Sequence, residues 1–440
     1  MKSPTRIAAL TGAAALALSL AACSPGASQN TSDEGSGTTV TFRLWDDVAA
    51  PAYEESFEAF MEQHDDIDVE VEVVPWDDYW ERLPLDFQSG DMADIFWTNT
   101  SNFGRYVDNG NVINISEEIG DDHDEWVESV TSLYERDGSL WGVPQLWDSI
   151  ALFTNEDLLA EAGVDPSDLT WSDGSANDTF LEAAKALTTD AEGRHPDDAG
   201  FDPGSRQTYG YNGSADLQAI YVNWIAEAGG LFQDENDDFA FASPEGERAF
   251  QYLVDTINTW YVAPSAAETN TNGDAARDLF VQGKMGLFQS GPYSLRHIAD
   301  NADFEWGIAP QIAGPEGRVS VVHGVAALGN ADTEHPEATV EVLKWLGSAE
   351  GQAPLAEQGV SFPGAVDAQD AFVDYWEAEG VDVSPFIEAA NGETTPAPVG
   401  PEVNAGANEI VPILQDMFLG GSDVAAKLRE AQDAGNAAME

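Results

Sequence analysis

The sequence predicts an α/β fold divided into two lobes, and three observations lead to that expectation. The chain has 440 residues, more than one hydrophobic core usually organises, so two lobes are the default. Its first ordered stretch reads strand, helix, strand. Val40, Phe42 and Leu44 alternate along one face. Tyr53, Phe57, Phe60, Met61 and His64 then follow helical spacing, with Glu54, Glu55, Glu58 and Glu62 outside. Val69, Val71 and Val73 alternate with Glu70 and Glu72. Such a β-α-β unit crosses over right-handedly and pairs its strands in parallel, and ligand residues then gather at the carboxyl ends of strands. The third observation is Phe280–Leu295. It reads as a helix ending at Gly283, a buried strand Lys284–Gln289 and a new helix opening near Pro292. Backbone N–H groups are free at such a junction, and Tyr293 rides on it as an aromatic plate with a polar tip.

Composition bounds the partners. The chain is 43% apolar and 10% aromatic, enough for a sizeable core. It carries 17 basic against 80 acidic residues, a formal charge of −63. Nucleic acid is excluded as a partner because there is no basic footprint. An anionic ligand is disfavoured for the same reason. Self-repulsion of this size is relieved by salt, so a salt-adapted surface and plain acidic drift of an exported protein both fit. Pairs of carboxylates therefore carry little information. The six histidines are scattered without metal-ligand spacing. Asp234–Asp238 lacks the glycine a calcium loop needs, since Phe239 follows Asp238. No metal and no cofactor is expected.

The N-terminus reads as a leader. Lys2 and Arg6 precede the apolar run Ile7–Leu20, which is short for a membrane span. Leu20-Ala21-Ala22-Cys23 resembles a bacterial lipobox, in which cleavage leaves Cys23 as a lipidated N-terminus; an ordinary signal peptide is the alternative. Cys23 is the single cysteine of the chain, so no intramolecular disulfide is expected. Several acyl chains would anchor stably where one would not. Residues 24–37 read as a flexible tether, with an end-to-end distance of about 20 Å. No later segment reads as transmembrane.

The rest follows in order. Trp76–Gln88 reads as a helix interrupted near Pro84, Asp94–Trp97 as a strand and Thr98–Phe103 as a loop. Asn155 caps Glu156–Ala162, which stops at Gly163. Asp178–Leu187 is an amphipathic helix, Tyr209–Asn212 a strand, and Gly213–Asp216 the start of a helix carrying Tyr221 and Trp224. Ser243 and Pro244 open a long helix to Trp260. Trp306–Pro310 is a strand, and Ser320–Gly324 enters another that Val325–Leu328 carries on. Helices follow at Pro336–Leu346 and Ala349–Gln358, and Gly420–Asp423 breaks a helical end spanning Ile410–Ala434.

Several of these stretches carry one resemblance. Phe280–Leu295 closely resembles the central signature of the family 1 bacterial extracellular solute-binding proteins, the maltose-binding-protein class. Asp94–Gly104 is similar to the family segment in which a tryptophan and the polar residues after it line the sugar cleft. That transfers Trp97 and Asn99, with one extra residue in the loop here. Gly142, Pro144, Phe153 and Asn155 match a segment that passes between the family's lobes, which puts Trp147 and Asp148 at the crossing. Ser320–Leu328 is similar to the returning hinge strand, whose glycine lets the ligand approach, and makes His323 and Gly324 contact candidates. Gly359–Gly364 and the broken helical end complete the order.

The resemblance covers about residues 38–440. It implies a periplasmic-binding-protein-like fold of type II with the ligand cleft between the lobes. Lobe 1 would comprise 38–150 plus about 325–362, and lobe 2 about 151–324 plus about 363–440. The implied activity is capture of a sugar or oligosaccharide by hinge closure, with no catalysis. The ligand would pass to the transmembrane subunits of an ABC permease driven by a cytoplasmic ATPase. The protein would be a monomer anchored through Cys23 at the extracellular face of the cytoplasmic membrane. A sugar needs aromatic plates for its C–H face and hydrogen bonds for its hydroxyl edge. Trp45, Trp97, Trp147 and Tyr293 are the candidate plates, and Asp46, Asn99 and Asp148 the candidate hydroxyl partners. On residue type alone, Trp97 also fits the core, Asp148 a solvated surface and His323 a satisfied core histidine. Two other classes remain open. One is the same fold binding a polyamine, a peptide or another non-sugar solute. The other is an exported glycoside hydrolase, which would need two carboxylates about 5–9.5 Å apart; the sequence singles out no such pair.

Overall fold

The computed structural model describes residues 37–439, apart from 173–177, 235 and 401. The leader, with Cys23, and the tether up to Ser36 lie outside the described residues. In chain order the strands are β1 Thr38–Leu44, β2 Ile67–Val73, β3 Ile95–Asn99, β4 Glu135–Arg136, β5 Ser139–Leu140, β6 Val143–Asp148, β7 Ala151–Asn155, β8 Thr189–Asp190, β9 Arg206–Tyr211, β10 Met285–Ser290, β11 Trp306–Ala309, β12 Val319–Gly329, β13 Phe362–Pro363 and β14 Glu393–Pro396. The larger sheet runs β13-β6-β12-β3-β1-β2, with β14 added to β12. The smaller runs β11-β7-β10-β9-β8, and β4 with β5 forms a separate hairpin.

The β-α-β start forms as the alternation dictates. β1 and β2 pair in parallel from Thr38↔Ile67 to Leu44↔Val73. The helix between them, α1 (Ala50–Gln63), buries Tyr53, Phe57 and Phe60, with the Tyr53 ring 4.8 Å from Phe42. Two expectations need correction. The next helix, α2 (Trp76–Ser89), runs unbroken through Pro84. Pro84 gives up one backbone N–H, but buried Tyr79 and Leu83 and Phe87 against Phe96 at 5.5 Å hold both halves on the sheet. After β3, helix α3 (Thr100–Asp108) stands where a loop was expected, because Phe103, Tyr106 and Val107 bury one face.

Two crossings connect the sheets. β6 ends in the larger sheet at Asp148 and β7 begins in the smaller at Ala151. β12 is a single strand that carries the second crossing. Its first residues pair with β14, and from His323 onward it runs between β6 and β3. Ile150 N–H donates to Ser320 Oγ at 3.0 Å, which ties one crossing to the other. Ser149 Oγ donates to the Phe386 carbonyl at 2.7 Å.

Buried apolar residues form two clusters. One contains Phe42, Phe57, Phe96, Val143, Leu328 and Leu343 of the larger sheet and its helices. The other contains Leu152, Tyr211 and Leu287 of the smaller sheet with Phe180, Trp224 and Phe250. Helices Val403–Phe418 and Val424–Met439 join the second cluster through Ile410, Leu414 and Leu428. Alternation along β7 turns Phe153 to the opposite face of the smaller sheet, where its ring lies 5.8 Å from Phe386. The result is a mixed α/β architecture with two sheets joined by two crossings.

Candidate ligand cleft

The direction of the strands builds one edge of the site. β1 is parallel to β2 and β3, and β12 is antiparallel to β3 and β6. The carboxyl ends of β6, β3, β1 and β2 therefore share an edge with the start of β12. Along that edge lie Trp147 and Asp148, then His323 and Gly324, then Asn99, then Trp45 and Asp46. All but two of the residues expected at the cleft fall in this row; Trp97 lies beneath it on β3, and Tyr293 comes from the smaller sheet.

The row divides by packing. Trp45 is half-buried and rests edge-on against Trp97 at 4.9 Å, Tyr79 at 5.2 Å and Trp76 at 5.3 Å. Trp97 lies beneath it, only 1% exposed, and meets Tyr53 at 5.5 Å on its other side. Trp97 is thus the packed support of Trp45 in this structure rather than an open plate. Asp46 turns its carboxylate to the Val48 N–H at 2.8 Å, and burial pushes its carboxyl up from the ordinary value. Asn99 sits where β3 passes into α3. Its Oδ1 accepts from Asn102 Nδ2 at 2.7 Å, and Asn102 in turn accepts from Asn404 of the helix Val403–Phe418.

The crossing holds polar groups with few partners. Trp147 is buried and stacks on Phe362 at 4.5 Å. Its Nε1 has no hydrogen-bond partner among the described residues, and neither has His323 Nε2. Asp148 pairs with His323 across the sheet. Its one side-chain contact, from Ser361 Oγ, is long at 3.5 Å. Burial, with the charge of Asp46 adding, pushes the Asp148 carboxyl up to about 7. Burial holds His323 down at about 4, so its imidazole is neutral over most of the pH range. Buried polar atoms are nearly always satisfied, so three under-satisfied groups on neighbouring strands leave hydrogen-bonding capacity for a ligand, a condition that Trp80 Nε1 and Trp97 Nε1 share further along the row. Gly324 corrects one expectation. A Cβ there would meet Val130 Cγ1 at 2.8 Å and Tyr134 at 3.3 Å, so the missing side chain admits the protein's own residues, not a ligand.

Tyr293 stands opposite, in the 3-10 turn Pro292–Ser294 that follows β10. It is 43% exposed, yet enough protein surrounds it that its phenol is pushed up by burial, with the charges of Asp216 and Asp148 adding. Exposure combined with surrounding protein is the signature of a concave wall. A Cβ on Gly291 would fall 2.3 Å from the Tyr293 ring, so only glycine lets that ring lie over the turn. Asp216 was not singled out from the sequence. It caps the turn Leu217–Tyr221 by accepting from Ala219 N–H at 2.7 Å, and a cap among 80 acids carries no mark of a site.

Rings on one sheet edge, a plate on the other sheet and two short crossings between them define a two-lobe solute-binding protein. Residues 46–353 match the bacterial extracellular solute-binding protein family, and the chain belongs to that family. UspC of M. tuberculosis is 46% identical in a structural match covering 91% of this chain and 100% of that one, with a TM-score of 0.77. The arabinooligosaccharide-binding protein of Bacillus subtilis is 24% identical over 77% of this chain and 76% of its own length. The GacH receptor of Streptomyces glaucescens, solved unliganded and with acarbose, is 20% identical with a TM-score of 0.77, covering 92% of this chain and 99% of that one; it shares the fold.

Proposed function

We propose that the protein captures a sugar or oligosaccharide in this cleft and delivers it to the permease of an ABC importer. The observation that carries this reading is the group of under-satisfied polar atoms at the crossing, Trp147 Nε1, His323 Nε2 and the Asp148 carboxyl, beside the rings of Trp45 and Tyr293. A hydroxyl-rich ligand supplies both donors and acceptors to such groups, and its C–H faces suit the rings. Asp46, Asn99 and Asp148 would meet hydroxyls, with Trp97 and Trp147 backing the wall. The names of two relatives point the same way: an arabinooligosaccharide-binding protein and a maltodextrin-binding protein, both of Bacillus subtilis. Lobe 1 is assigned to 38–150 plus about 325–362, lobe 2 to the remainder, and closure would turn on the crossings. The family's role is binding, and no catalytic step is assigned. Attachment through a lipidated Cys23 at the outer face of the membrane, and a monomeric state, complete the proposal.

A thermal-shift screen of residues 24–440 against mono- and oligosaccharides, polyamines and peptides tests it. A ligand at 100 times its dissociation constant adds about 2.7 kcal/mol of stability. A shift with one sugar class and no sugar consumed supports the reading; silence from every sugar refutes it. Labelled palmitate should enter the full chain and be lost in Cys23→Ser. A second reading, a polyamine or peptide amine, is favoured by Asp46, Asp148 and Asp216. The groups acting on these three are other acids and neutral hydrogen-bond donors. In the same screen it predicts a shift with spermidine.

A further inference from the structure

Trp76 extends the larger sheet's row by one strand. It opens α2 just beyond the carboxyl end of β2, as Trp45 follows the carboxyl end of β1. The two strands end in register at Leu44↔Val73, which brings both indoles to the same edge, 5.3 Å apart and nearly perpendicular at 81°. Trp80 closes the corner at 5.3 Å from Trp76. Yet Trp76 is 49% exposed, and of the 13 tryptophans it is the one exposed residue. Leaving half an indole in water is costly in proportion to its apolar area. Here it is held in place by its neighbours rather than free to fold away.

The row also has a length. From Asp148 on β6 to the end of β2, beyond which Trp76 lies, there are four steps between neighbouring strands, about 19 Å at the usual strand spacing. That is several times the width of one sugar ring. Asp148 and His323 lie at the β6 end, and bare aromatic surface lies at the β2 end. We propose that Trp76 is the outer plate of an elongated cleft, so that the ligand is an oligosaccharide whose distal ring stacks on Trp76 while its first ring is held near Asp148 and Tyr293. This deepens the sugar reading and rests on it.

The test is calorimetric titration of wild type, Trp76→Ala and Trp76→Tyr with three length series: glucose, maltose and maltotriose; arabinose and arabinotriose; mannose and mannotriose. Wild type should bind the longer members of one series more tightly than its monosaccharide. Trp76→Ala should weaken the longer sugar about tenfold and leave the monosaccharide within twofold. Trp76→Tyr should recover most of the loss by restoring a ring. Wild-type binding that does not depend on length, or equal losses for short and long sugars in Trp76→Ala, overturns the outer plate while the sugar reading stands. No response of wild type to any series overturns both. Trp76 is half buried against Trp45 and Trp80, so the unfolding midpoint of Trp76→Ala should fall by a few degrees only, and a loss confined to the longer sugar separates loss of a plate from loss of fold.

Discussion

On the larger sheet the edge of the cleft is a run of rings packed on one another, with Trp45 resting on Tyr79, Trp80 and Trp97. On the smaller sheet a single ring, Tyr293, stands on a glycine turn with open solvent on one side. The first wall is fixed by the core beneath it, so changes there affect folding and binding together. The second projects from a short turn, so changes there affect binding with little cost to the fold. Rigid plates cost little ordering entropy on binding, and a wall that depends on one ring is the more sensitive to a single substitution.

Trp97→Ala should show the largest effect, a stability loss of about 3–5 kcal/mol in urea unfolding. A loss below about 1 kcal/mol would mean that Trp97 is open and that the two walls are alike. Tyr293→Ala should lower ligand affinity about 10- to 100-fold with stability within about 0.5 kcal/mol of wild type. Calorimetry and denaturation on one preparation separate the two quantities; binding unchanged would remove Tyr293 from the site.

Asp148→Asn sharpens the comparison through pH. The folded state holds this carboxyl near 7, above its ordinary value of 3.8. Its contribution to stability is therefore complete below about pH 4 and lost as pH rises through 7. Asp148→Asn should flatten that part of the profile, read as the difference from wild type between pH 4 and 8. His323 has the opposite sign. Held near 4 against an ordinary 6.5, its contribution is present above 6.5 and lost as pH falls toward 4, so His323→Gln should gain on wild type below pH 6. The smallest expected effect is Asn404→Ala, about 0.5–1.5 kcal/mol, from loss of its bond to Asn102 on α3. An unchanged unfolding midpoint would mean that this contact carries nothing.

Much of this was legible in local pattern. The alternation in Val40–Leu44 and Val69–Val73 gave the strands, Ser243-Pro244 gave a helix start, and Pro292 marked the element that carries Tyr293. Where local rules failed, packing overruled them. Pro84 reads as a break until Tyr79, Leu83 and Phe87 are seen holding both sides of it. Thr98–Phe103 reads as a loop because Phe103, Tyr106 and Val107 show their common face only once the helix has somewhere to bury it. Asp216 and Trp76 were missed as site residues because nothing in their neighbourhoods separates them from other caps and other tryptophans.

The sequence by itself determined the α/β class, the order of the elements and most of the residues that meet at one sheet edge. The class and the order follow from periodicity, which is local; Trp45 and Asp46 follow from the rule that strand ends carry ligands, and the other edge residues from the resemblance to the solute-binding family. Tertiary structure alone decided which tryptophan is covered and which is bare, why Gly324 has no side chain, and that Asp148 and His323 are paired across neighbouring strands. These depend on what lies across from a residue. Neighbours in space come from strands as far apart in the chain as β6 and β12, and no local pattern records them.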